Sequence, residues 1–175
     1  MTAGLNEYRP RVAVDTNVLM EPEWLRRLLL ASDRGLLDPI WSPQMVGELA
    51  RAGLWRLGRQ NNGRRSITVQ QYEAYRRALY RRIDAIDLRF DIMRSAAHTP
   101  IDEEAAWAGA KDRDDLHVQV LARIAGADCV VSWNHRHFPG RQVVGGRPCG
   151  ELCGVLWITP DQLPALRTAS SEVRP

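Results

Sequence analysis

The chain predicts an α/β fold, a three-layer α/β/α sandwich with a central, mainly parallel sheet and one long inserted amphipathic helix. Short, mainly apolar strand-like segments (Val12–Val14, Leu37–Trp41, Asp128–Ser132 and Val155–Ile158) alternate with stretches whose apolar residues recur every three or four positions. Strands separated by helices close through right-handed crossovers into a parallel sheet covered on both faces. Such sheets gather ligands at the carboxyl ends of their strands, where Asp15 and the segment after Ser132 fall.

Taken in order, Val12–Val14 with Val18 and Leu19 read as the first strand, buried on both faces because alternation is absent. Trp24, Leu25, Leu28 and Leu29 mark a helix over 21–31 that Gly35 closes. After the second strand, Ser42-Pro43 is an N-cap and first-turn proline, so a helix runs to about Leu57 with Met45, Val46, Leu49, Ala52 and Leu54 inward. Glu48 lies on that helix at the core edge. Residues 58–65 read as a basic loop. Thr68-x-x-Gln71 is a capping box ahead of Tyr72, Tyr75, Leu79, Ile83, Ile86, Phe90 and Met93, a helical segment over about 67–95 with Arg76, Arg77, Arg81 and Arg82 away from its apolar stripe.

Residues 96–110 are poorly patterned, an irregular connection with one short helical turn at most. Asp112 then caps a helix packed through Leu116, Val120, Leu121 and Ile124 that stops at Gly126. Residues 140–154 read as a Gly-rich surface loop, and Thr159-Pro160 opens a short helix after the last strand. Residues 1–167 make one domain and 168–175 a frayed tail.

No apolar run approaches the roughly 20 residues of a membrane span, and the amino terminus has no signal-type segment. A cytoplasmic protein without membrane contact is expected. Cys129, Cys149 and Cys153 show no C-x-x-C spacing, so free thiols are expected rather than a disulfide or a zinc site. Of 24 basic residues 23 are arginines, and Arg51 to Arg94 holds eleven Arg against four acids, a local net of 11 − 4 = +7. Such a segment attracts a polyanion, and it is equally the composition of a solvated helix face. Arg56, Arg59, Arg64, Arg65, Arg76 and Arg77 are the candidates for contact with a polyanion's phosphates.

Singly, each acid has a plain structural reading: Asp15 in a strand-end turn, Glu48 on an exposed helix, Asp112 and Asp115 favouring a helix N-terminus. Together, in one cleft, they would repel one another until a divalent ion relieved them, and Mg²⁺ and Mn²⁺ take such hard oxygen ligands. Asp114 points about 100° away from Asp115 on a helix and reads as solvent-exposed.

Asp15-Thr16-Asn17 after the first strand, Glu48 on the helix after Ser-Pro, and D-R-D-D-L-H-V-Q-V-L-A-R-I-A-G-A-D-C-V-V-S-W-N-H-R-H-F over 112–138 resemble the PIN domain, in the style of VapC-type toxins. The likeness runs from about Val12 to Leu163 and includes the ending G-V-L-W-I-T-P-D-Q-L. It implies a metal-dependent endoribonuclease that leaves 5′-phosphate and 3′-hydroxyl ends by water attack. It also implies one or two Mg²⁺ or Mn²⁺ ions, a small antitoxin partner and a homodimer. By position Asp15, Glu48 and Asp115 match the family's first three acids, Asp112 an additional one, and Asn134 stands where a fourth acid is frequent. An amide oxygen at 134 still ligands a hard cation but adds no charge.

Thr16 and Asn17 either orient Asp15 and touch RNA or satisfy the local turn. Trp133, His135 and His137 flank the cleft, with packing as their default role. Two other functions compete. A catalytically inactive PIN-like RNA-binding or scaffold module is supported by Asn134; a haloacid dehalogenase-type phosphatase would need an acid where Asn17 stands.

Overall fold

The computed structural model describes residues 8–60, 67–87, 91–92 and 116–168. Among these, β1 (Arg11–Val14), β2 (Asp38–Trp41), β3 (Asp91–Ile92), β4 (Cys129–Val131), β5 (Gln142–Val144), β6 (Arg147–Leu152) and β7 (Val155–Ile158) form one sheet in the order β3-β2-β1-β4-β7-β6-β5. The five strands from β3 to β7 in that order run parallel, and β6 and β5 join antiparallel at one edge. The helices α1 (Thr16–Leu19), α2 (Pro22–Asp33), α3 (Pro43–Gln60), α4 (Val69–Asp87), α5 (Leu116–Ala125) and α6 (Pro164–Thr168) flank the sheet, giving the expected α/β sandwich.

The sheet order reverses between β1 and β4: β1 leads outward to β2 and β3, and the chain then returns to β1's other side. Both strands are apolar and buried, which is why the sequence shows no alternation there. Val14 pairs with Val131 and Val131 with Ile158, so the carboxyl ends of β1, β4 and β7 are level. The core beneath includes Leu19, Leu28, Ile40, Trp41, Met45, Leu49, Leu121 and Phe138. Buried Gln119 spends its polar atoms on Trp157 Nε1 (2.8 Å, donated to its oxygen) and the Leu152 carbonyl (3.1 Å, accepting from its nitrogen).

Several expectations are corrected. Val18 and Leu19 belong to α1 rather than β1: Asp15 ends the strand and caps the helical turn, whose apolar side chains are fully buried. α3 continues through Gln60, so residues 58–60 are helical and not loop. Ser42 does not cap α3 through its hydroxyl, which makes no hydrogen bond among the described residues, while its N–H donates to Met45 Sδ at 3.4 Å.

The capping box of α4 is present in both directions, Thr68 N to Gln71 Oε1 at 3.0 Å and Gln71 N to Thr68 Oγ1 at 3.2 Å. That helix ends at Asp87, and Asp91–Ile92 is a strand rather than helix. Among the described residues of its stripe only Ile86 is fully buried; Leu79 and Ile83 are half-buried and Tyr72 is exposed. Arg82 is half-buried, not on the solvent face, because position 82 borders the stripe three residues after Leu79.

The Gly-rich segment 140–154 is not a loop but two hairpins. Gly145-Gly146 and Cys153-Gly154 supply the paired positive φ values (59° and 78°, 53° and 78°) of two-residue turns. Phe90, Met93, the connection 96–110 and the tail from 169 lie outside the described residues.

Candidate active site

At the reversal point the strand ladders run one residue past their strands. Asp15 N–H donates to the Val131 carbonyl at 3.0 Å, and Ser132 N–H to the Ile158 carbonyl at 3.0 Å. Asp15 and Ser132 therefore stand side by side at adjacent carboxyl ends, the crevice where open parallel sheets bind ligands.

Asp15 is only 5% exposed. Its Oδ2 accepts from Ser132 Oγ at 2.6 Å and from Asn17 Nδ2 at 2.6 Å, whereas from the described residues Oδ1 receives only the long 3.4 Å contact from Asn17 N. The Ser132 hydroxyl is saturated: it donates to Asp15 and accepts from Asn17 Nδ2 (3.0 Å) and Asn134 N (2.9 Å). Asn17 Oδ1 accepts from Trp133 N at 2.9 Å, tying α1 to the end of β4. Burial pushes the Asp15 carboxyl above the ordinary range, and the Ser132 and Asn17 hydrogen bonds oppose this only in part.

Glu48 reaches the same place from α3. Its Oε2 accepts from Thr16 Oγ1 at 2.8 Å and lies 3.1 Å from His117 Nε2 of α5. Its Oε1 accepts no hydrogen bond from the described residues. Burial works to raise the Glu48 carboxyl, but His117, Thr16 and Arg51 together hold it below the ordinary carboxylate range. The two acids thus shift in opposite directions, because Asp15 is the deeper and Glu48 has the cationic neighbours.

Asp15, Thr16, Asn17 and Glu48 line a cleft of about 580 Å³ whose far wall is Met20 with Arg51, Ala52, Trp55 and Arg56 of α3. Trp55 is 62% exposed. Two carboxylates on one cleft, each with an oxygen left unused or weakly bonded, make a donor set that fits a hard divalent cation. The desolvated carboxyl of buried Asp15 fits it as well.

Of the expected site residues, Asp15, Glu48, Thr16 and Asn17 come together. Asp112, Asp114, Asp115, Arg64 and Arg65 lie outside the described residues, and among the described residues no group of three His, Cys, Asp or Glu side chains is placed to hold a metal. Asn134 does not line the cleft; it connects to Asp15 through Ser132, and its Nδ2 is 2.8 Å from His137 Nδ1. Arg59 lies on the last turn of α3, and exposed Arg76 pairs with Glu73 at 3.0 Å. Trp133 packs edge-on against Trp24, 5.3 Å between ring centres, as a packing residue would.

Four residues of the site escaped the sequence reading: Arg51 and Trp55, which line the cleft, and Ser132 and His117, which hold its two acids. Ser132 could have been found only by knowing that β4 lies next to β1. His117 and Glu48 meet through a helix-to-helix approach that carries no local signal.

All three cysteines are free, and no described helix is long and apolar enough to cross a membrane. The PIN domain family model matches residues 11–136, well over half of the chain. Comparison with curated proteins found no match, and comparison with solved structures found none either. PIN domains are typically nucleases and generally use divalent metal ions. With its strand-end Asp15 and the facing Glu48 inside the matched span, the chain belongs to the PIN domain family.

Proposed function

We propose that the protein is a divalent-metal-dependent endoribonuclease that hydrolyses RNA phosphodiester bonds at the Asp15–Glu48 cleft. The observation that carries this reading is the pairing of two oriented carboxylates with a cleft wall of Arg51, Trp55 and Arg56. Acids alone would serve many cation sites. Adding guanidinium groups and an exposed indole matches a substrate with phosphates and bases.

Asp15 and Glu48, with Asp112 and Asp115, would hold one or two Mg²⁺ or Mn²⁺ ions, while Asn134, which does not line the cleft, would act on them only through Ser132. When bound, such an ion supplies positive charge against the phosphate and lowers the pKa of water. The chain's own residues do the rest. Ser132 and Asn17 fix Asp15 with Oδ2 satisfied and Oδ1 only weakly bonded by the described residues. Thr16 and His117 do the same for Glu48 by occupying Oε2. Arg51 and Arg56 attract the RNA backbone, and Trp55 offers a face to a base.

The finer assignment, the toxin of a type II toxin–antitoxin pair acting as a homodimer with a small antitoxin, rests on the likeness of residues 112–138 to VapC-type toxins. A short neighbouring reading frame whose product suppresses growth arrest by this chain is its test. The alternative of a catalytically inactive RNA-binding module is favoured by one observation, the amide of Asn134 in place of an acid.

Labelled single-stranded RNA, incubated with the protein and Mg²⁺ or Mn²⁺ and in parallel with chelator, separates these readings. Internal cleavage with 5′-phosphate ends, absent in chelator, supports the nuclease. Binding without cleavage overturns it in favour of the inactive module, and phosphate release from small phosphoesters alone would point to a phosphatase.

A further inference from the structure

Behind the cleft lies a second cavity of about 250 Å³ between α3 and α4, lined by Leu49, Gly53 and Leu57 from α3 and Tyr75, Leu79 and Arg82 from α4, among others. Met20 and Arg56 line both cavities, so the second continues the first away from Asp15 and Glu48. Its floor is apolar and its charge is basic. Arg82 is half-buried over Met20, with Nη1 4.0 Å from the thioether sulfur, and no carboxylate of the described residues pairs with it at ion-pair distance. Arg56, beside it, is engaged on one side by Glu21 at 2.8 Å. Two guanidinium groups thus converge with one carboxylate between them, leaving a net positive charge at the groove's end.

A half-buried guanidinium with no carboxylate of the described residues at ion-pair distance is costly: burial works against its charge and Arg56 adds to the effect, while Tyr75 and Glu21 oppose it only in part. Such a group is retained at an expense to the fold unless an anion completes it. The groove already leads to the cleavage cleft, so the anion that reaches Arg82 by this route belongs to the molecule lying across Asp15 and Glu48. An arginine fork matches a phosphate oxygen pair, and the apolar floor of Met20, Leu79 and Tyr75 suits a sugar or base edge.

We propose that Arg82, with Arg56, is the seat of a backbone phosphate flanking the scissile one, so that α3 and α4 guide a single RNA strand away from the cleavage point. The proposal rests on the ribonuclease reading above and gives Arg82 a substrate-binding role, not a catalytic one.

Binding of a 12-nucleotide single-stranded RNA, measured by fluorescence anisotropy in chelator across a salt series, tests it without depending on cleavage. Arg82→Met is expected to weaken binding about tenfold and to reduce the salt slope by about 0.7, the loss of one phosphate contact. The thermal midpoint should stay equal or rise, because an apolar side chain fills the half-buried position better than a lone charge. A merely structural arginine would instead lower the midpoint and leave the salt slope alone. Arg82→Lys should recover part of the affinity and all of the slope.

Unchanged affinity and slope in Arg82→Met, while Asp15→Asn still abolishes cleavage, would overturn the subsite and leave the nuclease standing. A wild-type chain that neither binds nor cleaves RNA would sink both. Poly-glutamate binding as tightly as RNA, with the same loss in Arg82→Met, would overturn the phosphate assignment in favour of an acidic protein partner.

Discussion

Replacing Ser132 with alanine removes one hydroxyl that serves three partners. It donates to Asp15 Oδ2 at 2.6 Å and accepts from Asn17 Nδ2 at 3.0 Å and Asn134 N at 2.9 Å, at a position with no solvent exposure. A hydrogen bond to a charged group is worth about 1.5–3 kcal/mol, and a buried donor left unmade costs about 1–3 kcal/mol. Asn17 keeps its bond to Asp15, so the orphan is chiefly Asn134 N–H; partial relaxation brings the expected loss to about 2–4 kcal/mol. For a chain of this length that lowers Tm by roughly 5–15 °C without unfolding it.

The second effect is on function. Ser132 opposes the burial that keeps the Asp15 proton on, so the variant carboxyl sits higher still and frees its proton only at higher pH. The acid limb of the rate profile moves upward, and metal affinity falls about 10–100-fold, as for other residues that orient a ligand. Urea unfolding in chelator and a Mg²⁺ titration of RNA cleavage read the two effects separately. Wild-type stability together with a wild-type Mg²⁺ midpoint would refute the claim that Ser132 holds Asp15.

Burial raises the Asp15 pKa in the folded chain above its unfolded value, so in chelator its ionisation weakens the fold as pH rises, and Asp15→Asn raises Tm at neutral pH. Mg²⁺ at a hundredfold excess over its wild-type Kd should raise the wild-type Tm by roughly 5–10 °C, an increment that fades as pH falls through the raised Asp15 pKa and falls to about half or less in Asp15→Asn; an equal increment in the variant contradicts this. Gly53→Ala places a methyl 2.4 Å from the Tyr75 ring and displaces the phenol that donates to the Ala50 carbonyl at 2.6 Å. Calorimetry should show a loss of about 1–3 kcal/mol, and the gain of up to about 1 kcal/mol usual for Gly→Ala in a helix would contradict the contact. Cys129, buried and with its thiol pushed up to about 12, should resist alkylation in the native chain while exposed Cys153 reacts, as mass spectrometry of modified peptides would show.

The parallel sheet was legible because β1 and β4 are apolar on both faces, and α2, α3 and α5 because their apolar residues keep helical spacing. Asp15 and Glu48 were legible because one ends a strand and the other sits at the core edge of a helix. What escaped depends on tertiary neighbours. Ser132 reaches Asp15 across 117 positions of sequence. Val18 and Leu19 looked like strand because burial on all sides erases the difference between a helical turn and a central strand. The hairpins of 140–154 were hidden by their glycines, which mark tight turns as readily as loops. Arg82 looked solvated because its position borders the stripe, and only α3's approach shows which side of that border is covered.

On the proposed reading, Asp15 and Glu48 hold one divalent cation between them. Electron paramagnetic resonance of Mn²⁺ titrated into the wild-type chain, Asp15→Asn, Glu48→Gln and the double variant tests it most directly. The account predicts that each single change weakens Mn²⁺ about tenfold or more, while the double change costs clearly less than the product of the two because the ligands share one ion. Independent, multiplying losses would contradict it, as would Mn²⁺ affinity in Asp15→Asn equal to that of the wild-type chain.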